Sequence, residues 1–245
     1  MLAQTGRTAH AARTAIHDGA FRPSTKPAHS AVPAASRPLQ AGSEPLAQIM
    51  TRMGATMSYP RNSEIFGENE PADYLYKVVS GCVRTYKILS DGRRQIGGFY
   101  LPGEVFGLSF GDEHTLSAEA IADTRVLLIR RTALNALADR DPAIARQLFT
   151  LTGRELRRVQ DRILLLVKTA QERVAVFLLE MSDRLSGSDT FDLPMSRQDI
   201  ADYLGLTIET VSRTLTAMEG AAEIRVPNAR HIVLRDRSVL NRMIG

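Results

Sequence analysis

Residues 196–215 read SRQDIADYLGLTIETVSRTL, and this segment predicts two short helices that meet at a glycine. Ser196 is a favourable N-cap, and Asp199 three residues later completes a capping-box pattern for the first helix. Gly205 tolerates the left-handed conformation that ends such a helix, and Thr207 caps the next one. This pattern predicts a helix-turn-helix, whose second helix enters the major groove of DNA.

The polar side chains of the second helix decide whether it reads bases. Glu209, Ser212 and Arg213 have the i, i+3, i+4 spacing of one exposed helix face. On an ordinary helix, Glu209 and Arg213 would form a surface ion pair that contributes about 0.2–1 kcal/mol. In a major groove, a carboxylate accepts a hydrogen bond from cytosine N4, and an arginine binds O6 and N7 of guanine. The helix-turn-helix context favours this second interpretation, with Ser212 near a base or a phosphate.

The segment IETVSR, residues 208–213, resembles the recognition helix of the CRP/FNR superfamily of bacterial transcription regulators, and within it the FixK branch. It matches the Glu-x-x-Ser-Arg pattern of FNR-type helices, while Ile208 stands where CRP-type members carry an arginine. The resemblance spans residues 45–245 and implies a palindromic, TTGAT-like site in double-stranded DNA, with Ile208 against thymine methyl groups. The candidate DNA contacts are Ser196, Arg197, Thr207, Ile208, Glu209, Thr210, Ser212, Arg213 and Arg230.

A wing is predicted after the recognition helix. Residues 224–226 and His231–Leu234 flank a Pro227-Asn228 turn, which predicts a strand, a turn and a second strand. Arg230 beside this turn is a candidate phosphate contact, and an ordinary surface arginine is the equal alternative.

Residues 65–130 consist of short strands separated by turn signals. The pairs Ser80-Gly81, Asp91-Gly92 and Pro102-Gly103 are predicted hairpin turns. Strands at this spacing predict a β-roll or jelly-roll barrel, similar to the cyclic-nucleotide-binding fold of the superfamily.

The predicted β-roll lacks the polar pairs that the resemblance implies for nucleotide binding. Nucleotide-binding members hold the ribose with a Gly-Glu pair and the cyclic phosphate with an Arg-Ser pair, whereas this chain has Gly107-Leu108 and Leu116-Ser117. A phosphate buried without a cation is poorly compensated, so we expect no nucleotide cofactor. The alternative is an effector-gated regulator of the same superfamily that senses a nucleotide or another small molecule.

Other cofactors are also not expected. An iron–sulfur cluster needs about four cysteine thiolates, and the chain contains one cysteine, Cys82. The five histidines are scattered and show no metal-ligand spacing. We expect Cys82 to pack in a strand, with an oxidisable switch as the alternative. A single cysteine also indicates a reducing compartment, and we expect a cytoplasmic protein.

A long helix is predicted between the β-roll and the helix-turn-helix. Asp141 caps it, and Pro142 occupies the first turn, where its missing amide costs nothing. An alternating 3,4 spacing indicates the seam of a two-stranded coiled coil, formed by Phe149, Thr152, Leu156, Val159, Ile163 and Leu166. A helix packed only on its own β-roll is the alternative, since one seam position is a threonine. The resemblance implies a homodimer, with Arg154, Arg157, Arg158 and Arg162 on the flanks of the seam, either paired across the dimer or solvated.

The sequence therefore predicts an α+β protein: an N-terminal cyclic-nucleotide-binding-like β-roll, a long dimerisation helix and a C-terminal winged helix-turn-helix. The predicted boundaries are 1–43 for a disordered tail, 44–135 for the β-roll, 136–168 for the dimerisation helix and 169–245 for the DNA-binding domain. The tail accounts for the net charge of +4, whereas residues 169–245 have nine basic and eleven acidic residues. DNA affinity must therefore depend on placed arginines instead of bulk charge.

No catalytic pattern competes with this interpretation. The sequence shows no nucleophile–base pair, no glycine-rich phosphate loop and no apolar run long enough to span a membrane, so we expect neither an enzyme nor a membrane protein. The resemblance implies a regulator, most often an activator, that contacts RNA polymerase and controls genes for low-oxygen respiration, denitrification or nitrogen fixation.

Overall fold

Two four-stranded antiparallel sheets form a β-roll in the computed structural model, which describes residues 45–185 and 187–244. The strands are β1 (Ala55–Tyr59), β2 (Glu64–Phe66), β3 (Tyr74–Ser80), β4 (Val83–Ile88), β5 (Arg94–Tyr100), β6 (Val105–Phe106), β7 (Ser117–Ala120) and β8 (Thr124–Arg130). One sheet has the order β1-β8-β3-β6 and the other β2-β7-β4-β5. The predicted tail over residues 1–43 lies outside the described residues.

The three glycine turns of the β-roll make different connections between strands. Asp91-Gly92 joins the paired strands β4 and β5, as predicted. Ser80-Gly81 and Pro102-Gly103 instead lead from one sheet to the other, so the prediction of hairpins at these two turns was wrong. Gly81 has φ +88°, and a Cβ there would lie 2.5 Å from the carbonyl oxygen of Asp123. A glycine is therefore required where the chain changes sheets, because the turn lies tight against Asp123 and Thr124 at the start of β8.

Two short helices that the sequence reading did not predict pack beside the β-roll. They are α1 (Leu46–Met53) and α2 (Arg131–Ala138), and neither has a side-chain N-cap. Their apolar residues form a core with the β-roll and with the next helix: Leu46, Ile49, Met50, Leu75, Ile129, Leu134 and Ile144.

The long helix α3 (Pro142–Leu165) begins as predicted. The Asp141 carboxylate accepts a hydrogen bond from the amide of Ala143 at 2.9 Å, and Pro142 occupies the first helical position. The helix ends at Leu165, so the predicted seam residue Leu166 lies at its C-cap and not within it.

The C-terminal part is a winged helix-turn-helix. Its elements are α4 (Ala170–Leu185), β9 (Thr190–Asp192), α5 (Arg197–Leu204), α6 (Ile208–Gly220), β10 (Ile224–Arg225), β11 (His231–Leu234) and α7 (Arg237–Ile244). The wing strands form an antiparallel sheet of order β10-β11-β9. Helices α4, α5 and α6 enclose a core that includes Phe177, Leu204 and Leu215.

The core of the C-terminal part continues into the β-roll. Ile96, Phe99 and Leu101 belong to the same cluster of buried side chains as Phe177 on α4. Arg184 at the end of α4 donates to Glu104 of the β-roll at 2.8 Å. The winged helix is therefore held on the β-roll by both apolar packing and charge.

Candidate nucleic-acid interface

Local capping builds the helix-turn-helix. The amide of Asp199 donates to Ser196 Oγ at 3.1 Å, and the amide of Ser196 donates to Asp199 Oδ2 at 3.0 Å. Gly205 ends α5 with φ +65°, and Thr207 Oγ1 accepts the amide of Thr210 at 3.2 Å. The predicted capping box, left-handed glycine and second cap are all confirmed.

The outward face of α6 carries the side chains predicted to read bases. Glu209 and Arg213 are exposed, whereas Val211, Leu215 and Met218 are buried beneath them. Hydrogen bonds from its own backbone amide and from the Thr207 hydroxyl lower the pKa of Glu209, and Arg213 adds to this effect. Glu209 therefore stays an ionised acceptor at neutral pH, as a cytosine amino group requires.

Other candidate DNA contacts of the helix-turn-helix form hydrogen bonds within the chain. The Ser196 hydroxyl donates to Asp199 Oδ2 at 2.8 Å, and Thr207 Oγ1 lies 3.1 Å from Thr210 Oγ1. Arg197 is half-buried and donates to Ser212 Oγ at 3.4 Å. The structure therefore shows roles for these side chains in supporting the reading helix, and their contacts with DNA stay predictions.

Arg230 lies at the wing and contacts its own chain. Its Nη1 donates to the carbonyl of Pro194 at 3.1 Å, and its amide donates to Asn228 Oδ1 at 2.9 Å. Since the guanidinium is half-buried and holds the wing against the loop before α5, a phosphate contact by Arg230 stays a prediction.

The predicted seam of α3 is an exposed apolar stripe. Phe149 and Ile163 are 80% and 59% exposed, and Leu156, Val159 and Leu166 are also exposed, while Thr152 is half-buried. Soluble proteins rarely leave such large apolar side chains in a row on one helix unless a partner covers them.

Two of the four flanking arginines bind the β-roll of the same chain. Arg158 forms an ion pair with Glu104 at 2.8 Å, and Arg162 donates to the carbonyls of Ile96 and Gly97. These two arginines are therefore not simply solvated, because β5 and the turn after it lie within reach of this side of α3, and any pairing across a dimer stays a prediction.

The inside of the β-roll is filled by aromatic rings. The His114 ring stacks on Phe66 with 3.6 Å between centroids, and Phe66, Tyr76 and Tyr100 surround Phe106. The remaining cavity is about 90 Å³, whereas sites for small ligands usually measure about 300–1,000 Å³.

The chemistry of this cavity does not suit an anion. Leu108 and Leu116, the positions compared with the nucleotide-binding pairs, both line it. Its charged wall residue is Glu155 of α3, whose Oε1 accepts the Tyr100 hydroxyl at 2.8 Å. Burial lowers the pKa of His114, which keeps the imidazole neutral.

Cys82 is 1% exposed, immediately before β4. Burial raises the pKa of its thiol to about 12, which leaves almost no thiolate at neutral pH. Since the thiolate is the reactive form, this environment favours the packing role over an oxidisable switch.

Among the described residues, no group of three or more acidic, histidine or cysteine side chains is placed to hold a metal ion. No helix in the described part of the chain is long and apolar enough to cross a membrane.

The sequence did not predict that Arg84 and Arg94 of the β-roll contact helix α5. The partners are separated by 115 and 105 residues, so no local pattern signals them.

Comparison with known proteins identifies both parts of the chain. Residues 172–243 match the Crp-like helix-turn-helix domain, and residues 56–141 match the cyclic nucleotide-binding domain. The nitrogen fixation regulation protein FixK of Azorhizobium caulinodans is 48% identical over 203 residues, which cover 80% of this chain and 82% of that protein. The transcriptional activatory protein AadR of Rhodopseudomonas palustris is 42% identical over 173 residues, or 69% of this chain and 72% of AadR.

A solved structure, that of FixK2 from Bradyrhizobium japonicum, is similar to both domains together. It is 52% identical, covers 79% of this chain and 98% of its own, and has a TM-score of 0.76. The predicted α+β architecture is thereby confirmed, and the relatives are transcription regulators and not enzymes. The chain belongs to the CRP/FNR family of transcription regulators, in its FixK branch.

Proposed function

We propose that this chain acts as a homodimer that binds TTGAT-like palindromes through α6 and activates transcription from them. The observation that carries the proposal is the pair Glu209 and Arg213, exposed four residues apart on the outer face of α6. Helix α6 is the second helix of the helix-turn-helix, the one that enters the major groove in such proteins.

The proposed base contacts follow from the chemistry of these side chains. The ionised Glu209 accepts from cytosine N4, and the Arg213 guanidinium binds O6 and N7 of guanine as a bidentate pair. Ile208, exposed at the first position of α6, offers an apolar contact to a thymine methyl group. An arginine at this position would instead favour a second guanine, which is the basis for expecting TTGAT and not TGTGA.

The apolar stripe of α3 supports the homodimer. A twofold dimer through this helix presents two copies of α6 about 34–36 Å apart, one turn of DNA, and therefore requires a palindrome. Arg197, Thr207, Thr210 and Arg230 are proposed as phosphate contacts that set the register of each half-site.

The biological role is proposed from the relatives. FixK of Azorhizobium caulinodans is a nitrogen fixation regulation protein and AadR a transcriptional activatory protein. We infer that this chain controls genes for low-oxygen respiration, denitrification or nitrogen fixation and contacts RNA polymerase. The small, cation-free cavity of the β-roll supports activity without a bound nucleotide.

Selection from a random pool of double-stranded DNA tests the proposal directly. The purified full chain, with no nucleotide or metal added, should enrich TTGAT and ATCAA half-sites about one helical turn apart. Enrichment of TGTGA half-sites would contradict the role given to Ile208, and enrichment of single half-sites would contradict the dimer.

A further inference from the structure

Two arginines of the β-roll reach the first helix of the helix-turn-helix. Arg84 on β4 forms ion pairs with Asp199 of α5 and with Glu119 of β7. Arg94 on β5 contacts Asp199 Oδ1 at 2.8 Å and Asp202 Oδ2 at 2.7 Å. We call these five residues the interdomain cluster.

The interdomain cluster is largely shielded from water. The Asp199 side chain is 7% exposed, and the other four side chains are less than a quarter exposed. Removing one partner of such a pair leaves a buried charge without compensation, which costs much more than breaking a surface pair. The cluster therefore holds α5 against the β-roll in a defined position.

Asp199 serves both the cluster and the helix-turn-helix. Its Oδ2 accepts from the Ser196 amide and hydroxyl in the capping box, while Oδ1 accepts from Arg84 and Arg94. A hydrogen bond from Gln95 Nε2 to the carbonyl of Asp202 at 2.8 Å adds a second tie between β5 and α5. The Asp199 carboxylate thus joins the N-terminus of α5 directly to the β-roll.

The position of α5 determines the position of α6. Ala201 and Leu204 of α5 and Val211 and Leu215 of α6 belong to one buried cluster, and packed cores resist small displacements. A force applied to α5 by the β-roll is therefore transmitted to the helix that reads bases. In a dimer, this fixes the distance and angle between the two copies of α6.

We propose that Arg84 and Arg94 are positioning residues for operator binding: they lie outside the DNA-binding domain and orient α6 through Asp199 and Asp202. The proposal rests on the proposed function, because it requires the palindromic operator. It predicts that full operator affinity, and the preference for one spacing between half-sites, depend on charges in the β-roll that do not contact DNA.

The first test measures operator binding by fluorescence anisotropy with the full-length variants Arg84→Gln and Arg94→Gln. We expect each to bind the wild-type palindrome about fivefold more weakly or worse, a typical coupling between distant sites. Base preference within each half-site should not change. Arg93→Gln is the matched control, since Arg93 is on the same hairpin, is 77% exposed and pairs locally with Asp91.

Operators with altered spacing separate positioning from a general loss of stability. Inserting one base pair between the half-sites should weaken the wild type more than Arg94→Gln, because the variant no longer fixes the angle of α6. Melting temperature and light scattering of each variant show whether it is folded and dimeric. An unchanged spacing preference in a folded Arg94→Gln dimer would overturn the proposal.

A conservative replacement supplies the rescue control. Arg94→Lys keeps a positive charge beside both Asp199 and Asp202 and should regain part of the affinity that Arg94→Gln loses. If the arginines only offset acidic charge near DNA, Asp202→Asn alone should tighten DNA binding. If they position α6, the same change should weaken DNA binding. Wild-type affinity in both Arg84→Gln and Arg94→Gln would refute this inference and leave the proposed function intact. A wild-type protein that does not bind the palindrome would refute the proposed function.

Discussion

Replacing Ile163 by alanine tests the dimer near the C-terminal end of its proposed seam. Ile163 is 59% exposed in the protomer, so a partner helix can still bury about that fraction of the side chain. Alanine removes three carbon atoms that contribute about 0.8 kcal/mol each when fully buried, or roughly 1.4 kcal/mol at this exposure. Both protomers carry the change, so the dimer loses about 2.8 kcal/mol, and its dissociation constant should rise about 100-fold.

Light scattering over a dilution series measures this dissociation constant directly. Palindrome affinity should fall with the dimer, because a single half-site loses the linked second contact. Asp161→Ala is the matched control, since Asp161 is exposed on the same helix and points about 160° away from Ile163 around the helix axis. An Ile163→Glu variant, which would bury an unpaired charge, should be more severe. If Ile163→Glu remains fully dimeric at nanomolar concentration, the interface lies elsewhere.

Three further predictions concern single side chains. Arg213→Ala should cost about 1–3 kcal/mol per half-site and lose discrimination at one guanine, whereas Arg230→Ala should weaken all sequences alike; anisotropy on base-substituted operators distinguishes the two, and uniform loss in both would make Arg213 a phosphate contact. Ser196→Ala should lower the free energy of unfolding by about 1 kcal/mol because the cap of α5 is lost, with Ser196→Thr restoring most of it in a denaturant titration. Cys82→Ser should leave operator affinity unchanged in air and under anaerobic conditions, because burial raises the pKa of the thiol to about 12; a wild type that mild oxidation inactivates, beside a resistant Cys82→Ser, would contradict this.

The helix-turn-helix could be predicted because its determinants are local. Ser196, Asp199, Gly205 and Thr207 each act on amides or carbonyls within a few residues, so their spacing predicts both helices and the turn. The long helix α3 was predicted for the same reason, from an aspartate cap followed by proline.

The β-roll was predicted less well because a turn residue does not determine strand partners. Gly81 and Gly92 look alike in sequence, yet one leads into the opposite sheet and the other closes a hairpin. Helix α1 follows Pro45 without a capping side chain, and it is held by burial of Ile49 and Met50 against residues far away in sequence.

The interdomain cluster shows the same limit at the functional site. Arg84 and Arg94 have no distinguishing neighbours, and their partners Asp199 and Asp202 are explained locally as helix residues. Only the packing of β4 and β5 against α5 brings these charges together. Contacts over more than 100 residues arise from tertiary structure, which periodicity and capping do not specify.

The buried thiol of Cys82 makes the protein convenient for distance measurements. The chain contains one cysteine, and it is closed off from solvent, so a maleimide spin label or dye added to the native protein finds no competing site. A cysteine introduced at the exposed Ala217 on α6 would give one probe per recognition helix. Pulsed dipolar spectroscopy on such a dimer would then report the separation of the two helices, before and after DNA is added, without any change to the natural cysteine.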